Sequence, residues 1–312
     1  MTGAPLPPGA DGVVPVEQTD WAASPARLPE EVGILGEVRP GENIRPRGFD
    51  LRAGETVLER GRRLRAPEVA LLASLGETSV SVTRRPWIAI LSTGNELVPV
   101  GQPLRPGEIF ESNSWMLEAL VEELGARPVP LGIARDDPAE IRSKFDSAVD
   151  QGADLILSSA GVSVGAHDYV RRVVEQGGRL SFWRVDLRPG RPLAFGRFRT
   201  VPVLGLPGNP VSSFVTFELF ARPAIQVMLG CVPRPRPRVT ARLIEDIESD
   251  GRESYLRADS RWETGEWSVR LSGNQASSAF SGLVHGNSLV RLPSGTTRVA
   301  AGSTVEVWLL GD

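Results

Sequence analysis

Residues 155–170, LILSSAGVSVGAHDYV, decide the fold. The apolar run Leu155–Leu157 reads as a buried strand, the Ser/Gly/Ala stretch behind it as a loop, and Asp168 as the start of a helix. A strand, a glycine-containing turn and a helix N-terminus together expose unpaired backbone N–H groups and the positive end of a dipole, which suits an anion such as phosphate. Gly161 and Gly165 enclose Val162, Ser163 and Val164, which matches neither GxGxxG nor GxxxxGK[ST].

The same alternation extends on both sides. Upstream lie a strand at Trp87–Leu91, an amphipathic helix over Ser114–Gly125 with a Ser N-cap, a strand at Val129–Ile133 and a helix over Asp137–Gln151. Downstream come strands at Phe182–Val185, Leu193–Phe195 and Val201–Leu206, then a helix over Ser212–Leu229. Strands alternating with helices predict a central three-layer α/β/α domain with a mostly parallel sheet, whose ligands bind at the carboxyl ends of its strands. Residues 1–47 are rich in Pro and Gly, read as short strands and turns, and are too thin to bury a core alone. Residues 48–84 hold one short helix, Ala66–Gly76. Pro233, Pro235 and Pro237 form a stiff linker, and period-two alternation at Val239–Leu243, Trp267–Leu271, Ser288–Leu292 and Thr304–Leu309 predicts a C-terminal β-barrel or sandwich. The expected organisation is multidomain α/β, with a partial β-rich domain over 1–47, a helical linker domain over 48–84, the α/β domain over 85–232 and a C-terminal β domain over 233–312.

Composition narrows the function. A net charge of −3 gives no global attraction to nucleic acid or an anionic membrane, so an anion site must be a local basic cluster. One cysteine, Cys231, excludes an internal disulfide and fits a reducing cytoplasm; two histidines make a His-rich zinc site an unsuitable reading. No apolar run approaches the ~20 residues that span a bilayer.

The strand-end loops carry the polar candidates. Loop 158–168 serves either as a tight β–α connection or as an anion cradle, and Asp168 either as a helix cap or as a ligand for Mg²⁺ beside a phosphate. Glu96 in LSTGNEL is a surface acid or a carboxylate directed into the shared crevice; in IARDDP, Asp137 before Pro138 is the N-cap, which leaves Asp136 free. FWRVDLRPGRPLAFG (182–196) is the densest basic cluster, and Arg184, Arg188 and Arg191 suit binding of dianionic oxygens. In LPGNPVSSF (206–214), Gly208 and Asn209 are suited to positive φ, and Asn209 to bracing neighbouring loops. His167, with no partner triad, is not read as a base.

Taken in order, MTGAPLPPGAD (1–11), STGNEL (92–97), IFESN (109–113), GIARDDP (132–138), SSAGVSVGAHDY (158–169), LRPGRPLAFG (187–196) and GLPGNPVSS (205–213) resemble the molybdopterin molybdenumtransferase family, that of MoeA and the gephyrin E-domain. The resemblance runs over nearly the whole chain, with Met1 falling at an internal position of the family pattern. It implies a molybdopterin-binding α/β domain that inserts molybdenum from molybdate into adenylylated molybdopterin and releases AMP and molybdenum cofactor. It further implies that Glu96, Asp136 and Asp168 hold Mg²⁺ against the pyrophosphate, and that Arg184, Arg188 and Arg191 hold molybdate or phosphate. Ser159, Gly161, Val162, Ser163, Gly165, Pro207, Gly208 and Asn209 then belong to the pterin-nucleotide site. Thr2 comes to the cleft from the partner subunit of an elongated homodimer, and Arg257 and Ser277 line its far wall. A transient contact with the molybdopterin adenylyltransferase is implied as well. The chain departs from the family pattern at Ala160 (usually Gly), Asn95 and Glu111 (usually Asp), and in having Arg184, Arg188 and Arg191 where Lys is common. The alternative is a non-catalytic molybdopterin-binding or scaffold protein.

Overall fold

The computed structural model describes residues 3–21, 30–161 and 168–311. The chain forms two compact units, Met1–Arg62 and Arg63–Asp312, so the boundary falls inside the 48–84 segment. In the first unit no described residue is buried. Its chain is held by backbone contacts such as the Thr19–Ile34 bridge and by Asn43 Nδ2 donating to the Val13 carbonyl at 2.8 Å.

The second unit opens with α1 (Ala66–Ser74). The α/β region follows as β1 (Trp87–Thr93), β2 (Leu97–Val98), β3 (Ile109–Phe110), α2 (Asn113–Glu123), β4 (Arg127–Ala134), α3 (Pro138–Asp150), β5 (Leu155–Ser159) and α4 (Tyr169–Gly177). Next come β6 (Gly178–Arg184), β7 (Leu187–Arg188), β8 (Pro192–Phe198), β9 (Val201–Leu206), α5 (Pro210–Thr216) and α6 (Arg222–Met228). The main sheet has the order β4-β1-β5-β9-β8-β6; its first four strands are parallel, β8 runs antiparallel to them, and β6 pairs antiparallel with β8 and so returns to their direction.

Alternation along the central strands divides their side chains between two cores. Ala89, Leu91 and Ile156 meet α3 and α4 through Ile141, Phe145, Val170 and Val173 on one face. Ile88, Ile90, Leu155 and Leu157 meet α2 and α6 through Leu117, Val121 and Ile225 on the other. Each such buried Leu, Ile, Val or Phe side chain contributes about 1.5–3 kcal/mol. This is the expected three-layer architecture.

Two helices differ from the sequence expectation. The first, α2, starts at Asn113, with Ser112 as N-cap; the Glu111 side chain, rather than a Ser hydroxyl, accepts the Ser114 N–H at 2.8 Å. The single helix expected over Ser212–Leu229 is α5 and α6 joined by a π-helical turn, Phe217–Ala221. Glu218 of that turn has a side chain only 1% exposed. It accepts from Arg222 Nε at 2.7 Å and from Arg236 Nε of the proline linker at 2.9 Å.

The C-terminal region contains β10 (Arg238–Leu243), β11 (Ile247–Glu248), β12 (Glu253–Glu263), β13 (Glu266–Leu271), α7 (Ser281–Val284), β14 (Ser288–Leu292), β15 (Arg298–Val299) and β16 (Thr304–Leu309). Strands β13, β10, β16, β14 and β12 close into a five-stranded barrel through the β12–β13 pairing. β12 is the strand that alternation did not reveal, because five successive residues from Ser254 to Ala258 are all buried. β7 of the α/β region adds to the barrel edge in parallel, with Leu187 opposite Glu253 and Arg188 opposite Ser254. Around this junction Leu187, Val211 and Val215 share a core with Tyr255, Leu289 and Trp308. Among the described residues no helix is long and apolar enough to cross a membrane.

Candidate functional site

The carboxyl ends of β4, β1, β5 and β9 lie side by side, and their loops are stitched together by hydrogen bonds. The Gly94 N–H after β1 donates to the Ala134 carbonyl at 3.1 Å, and the Asp136 N–H after β4 donates to Asn95 Oδ1 at 3.2 Å. The Ala160 N–H after β5 donates to the Leu206 carbonyl of β9 at 3.0 Å. Asn113 Nδ2, from the first residue of α2, donates to both Ser159 Oγ and the Gly208 carbonyl at 2.7 Å. Beneath it the buried Glu111 accepts from Ser92 Oγ at 2.8 Å. Asn113 and Glu111 are structural members of the site that the sequence reading quoted in IFESN without giving them a role.

The loop after β5 begins with two left-handed residues, Ala160 at φ +71° and Gly161 at φ +72°. Gly161 is sterically required, since a Cβ there would lie 2.5 Å from Val170 Cγ2 and 3.0 Å from Thr93 Oγ1. Ala160 bears a Cβ in the same backbone region, which costs about 1 kcal/mol. Ala160→Gly is therefore expected to raise unfolding free energy by about that amount, read from urea denaturation. Gly208 serves close approach and not positive φ: a Cβ on it would come within 3.0 Å of Ala160 Cβ. Asn209 has φ −67°, an ordinary extended cap, contrary to the left-handed expectation. Thr2, Val162, Ser163, Gly165 and His167 lie outside the described residues.

Beyond the loop, Asp168 caps α4, its Oδ1 accepting the Arg171 N–H at 3.2 Å. The residue is 3% exposed, and its Oδ2 is buried with no hydrogen-bond partner among the described residues. Burial pushes its carboxyl above the usual aspartate range, against the Arg171 amide and the neighbouring Trp183 indole, which favour the charged form. Thr93 Oγ1, Ser158 Oγ and Asn113 Oδ1 are also buried and have no partner among the described residues. Buried polar atoms are ordinarily satisfied, so this concentration at one edge of the sheet leaves hydrogen-bonding capacity that a ligand could use.

The arginine segment lies at the adjoining end of the sheet. Arg184 closes β6 in register with Pro192 of β8, and its guanidinium carbon sits 4.0 Å from the Trp183 ring centroid. Arg188, on β7, faces Asp250 of the barrel region at 3.9 Å. The turn between them and Arg191 includes a cis Arg188–Pro189 bond and Gly190 at φ +115°, where a Cβ would meet Thr216 Cγ2 at 2.5 Å. Arg184 and Arg191 are exposed and have no ion pair among the described residues.

The barrel reaches the same edge through residues 274–280. Asn209 Nδ2 donates to Ser277 Oγ at 2.8 Å, and the Val211 N–H donates to the Ser277 carbonyl at 3.1 Å, so Asn209 does brace a neighbouring loop. Pro207 is buried beneath this turn. Arg257 is 1% exposed, and its Nη2 donates to the Asn274 and Ala276 carbonyls at 2.6 and 3.1 Å. Its Nε is unpartnered and no carboxylate pairs with it among the described residues, so burial lowers its pKa.

Among the described residues no three His, Cys, Asp or Glu side chains form a group able by itself to hold an ion. Glu96 is exposed and folds back over Gly94, where a Cβ would lie 2.8 Å from its Oε2; Asp136 is half-buried after β4; Asp168 is fixed by its helix. A cleft of about 580 Å³ lined by Arg84, Arg85, Trp87 and Arg127 opens at the opposite, amino-terminal edge of the sheet and contains none of these groups.

Comparison with known proteins agrees with this layout. Residues 89–227 match the family described as a probable molybdopterin binding domain; residues 1–76 match the MoeA N-terminal region (domains I and II), and 240–310 the MoeA C-terminal region (domain IV). Molybdopterin molybdenumtransferase 2 of Mycobacterium tuberculosis is 39% identical over 99% of this chain and 76% of its own length. Molybdopterin molybdenumtransferase of Nostoc is 38% identical over 98% of this chain and 70% of its own. The crystal structure of the molybdopterin biosynthesis MoeA protein of Pyrococcus horikoshii OT3 superposes with a TM-score of 0.78 at 29% identity, over 98% of this chain and 73% of that one.

Proposed function

The chain belongs to the molybdopterin molybdenumtransferase family, and from that premise we propose how its own residues insert molybdenum during molybdenum cofactor biosynthesis. It is a transferase whose substrates are molybdopterin and molybdate. We infer that the molybdopterin arrives adenylylated, so that cleavage of its phosphoanhydride releases AMP together with the finished cofactor. The observation that carries this reading is the buried Asp168 carboxylate with an open Oδ2, one residue contact away, through Trp183, from the unpaired Arg184.

Molybdate and the phosphates are anions. Arg184, Arg188 and Arg191 offer guanidinium forks to their oxygens, and the buried, uncompensated charge of Arg257 raises the local positive potential behind Ser277. As the anhydride P–O bond breaks and charge builds on the departing AMP oxygen, a guanidinium already in place stabilises it without reorganisation. Gly161 and its neighbours Val162, Ser163 and Gly165 seat the pterin phosphate. Asn113 fixes Ser159 against Gly208, and Asn209 joins that turn to Ser277.

Mg²⁺ suits this edge as a partner of the substrate, since it binds through one or two carboxylates plus phosphate oxygens and needs no three-carboxylate cage. Asp168, with Glu96 or Asp136, would hold it, and when bound it supplies charge neutralisation of the pyrophosphate. We further propose a homodimer in which Thr2 reaches the partner's cleft, a transient hand-over from the adenylyltransferase, and a cytoplasmic location in which Cys231 stays reduced.

The test is direct. The full chain is mixed with adenylylated molybdopterin, molybdate and Mg²⁺, and AMP is followed by chromatography while cofactor is scored by activation of a molybdoenzyme apoprotein. AMP and activation should appear together and fall when the divalent metal is chelated. A folded chain that releases no AMP overturns the reading and would leave the non-catalytic alternative.

A further inference from the structure

The ring of Trp183 carries two guanidinium groups, with Arg171 Cζ 4.3 Å and Arg184 Cζ 4.0 Å from its centroid. Arg171 comes from the first turn of α4, three residues after Asp168, and Arg184 from the end of β6. The indole therefore ties the end of the anion loop to the arginine segment. Arg171 has a counter-charge, its Nε donating to Glu175 at 2.8 Å. Arg184 has none among the described residues. Each cation is attracted by the ring face, yet two like charges on one indole repel, and the charge of Arg184, which no carboxylate offsets among the described residues, favours an anion beside it.

A second observation points the same way. Trp183 Nε1 and Asp168 Oδ2 are both buried and lack a well-formed hydrogen bond among the described residues, although the indole borders the carboxylate closely enough to favour its charged form. A buried donor and a buried acceptor left open beside each other disfavour the ligand-free state and become satisfied when a bound group orders the site.

We propose that Trp183 is a positioning residue for the phosphate groups of the substrate: its ring holds Arg171 and Arg184 as a two-armed clamp for a phosphoanhydride, and its N–H orients the Asp168 side chain. The clamp rests on the transferase reading above and adds Arg171 to the anion-binding residues. The ligand class it selects is a pyrophosphate ester, because two guanidiniums held by one indole match two phosphoryl groups better than one.

Two readouts separate the clamp from the reaction it serves: calorimetric binding of inorganic pyrophosphate to the full chain, and KM against kcat for AMP release. Trp183→Ala removes ring and N–H together, and should weaken pyrophosphate about tenfold and raise KM by a similar factor. Trp183→Phe keeps an aromatic face and loses only the N–H, so pyrophosphate affinity should stay within about threefold while kcat falls about fivefold. Arg171→Gln should weaken pyrophosphate about fivefold, and Arg171→Lys should restore most of that loss. Should Trp183→Ala fail to fold, Trp183→Phe and Arg171→Gln carry the test. Pyrophosphate binding that is absent from the wild-type chain, or unchanged in Arg171→Gln, overturns the clamp. Trp183-dependent pyrophosphate binding in a chain that releases no AMP keeps the clamp and overturns the transferase reading instead.

Discussion

Asp168→Asn lowers the rate of AMP release by about three orders of magnitude, the range seen when a preorganised charged group is removed from a reacting centre. The substitution is nearly isosteric, and asparagine caps helices as well as aspartate does, so the Oδ1 contact to the Arg171 N–H survives. What disappears is the negative charge at the unpartnered Oδ2. Stability should move in the opposite direction to activity. Burial raises the folded-state pKa of Asp168, so its ionised form is less stable in the fold than in the unfolded chain. The protonated group contributes stability at acid pH, and that contribution is lost as pH rises through the folded value. The asparagine variant should therefore match wild type below about pH 4 and equal or exceed it at neutral pH, read from urea midpoints across the range. A variant that loses stability and activity together would show that Asp168 only caps the helix.

Glu218→Gln destabilises the chain by about 3 kcal/mol, the second large effect, and this one is structural. Glu218 lies between Arg222 and Arg236, whose side chains are 9% and 10% exposed, and removing its charge leaves both guanidiniums buried with weakened compensation. Glu123 also contacts both arginines, at 2.9 and 3.2 Å, yet its side chain is 44% exposed and screened by water. Glu123→Gln should thus cost below about 1 kcal/mol. Chemical denaturation of the two variants side by side reads the difference. Equal losses would mean that the π-helical turn and the proline linker are held by packing alone.

Most of the fold is legible in the sequence because burial and period coincide. Central strands such as Trp87–Thr93 and Leu155–Ser159 read as apolar runs, and β10, β13, β14 and β16 read as alternation, because each has one face in the barrel. β12 is silent for the opposite reason: β7 pairs alongside its first residues and the loop at Asn274 and Ala276 packs on Arg257, so polar residues such as Ser254 and Arg257 are buried beside apolar ones. The candidate site is legible as positions and not as connections. STGNEL, GIARDDP and LPGNPVSS place the loops, while the Asn113 contacts to Ser159 and Gly208 span 46 and 95 residues and have no local signature. Ala160 is similar, for nothing about an alanine announces a left-handed backbone.

The two-residue strand Leu187–Arg188 hydrogen-bonds to the barrel and not to the sheet that precedes it in sequence. A segment of one module is thereby donated to the edge of another, much as a hinge element is exchanged in a swapped pair. The α/β portion cannot be excised as a self-sufficient part: cut at the proline linker, it would retain Arg184 on a paired strand but leave Arg188 without the strand that fixes it. Recombination between relatives is constrained in the same way. A chimaera that joins an α/β region to a foreign barrel must preserve this seam, the Leu187–Glu253 and Arg188–Ser254 register, before any question of matching substrates arises.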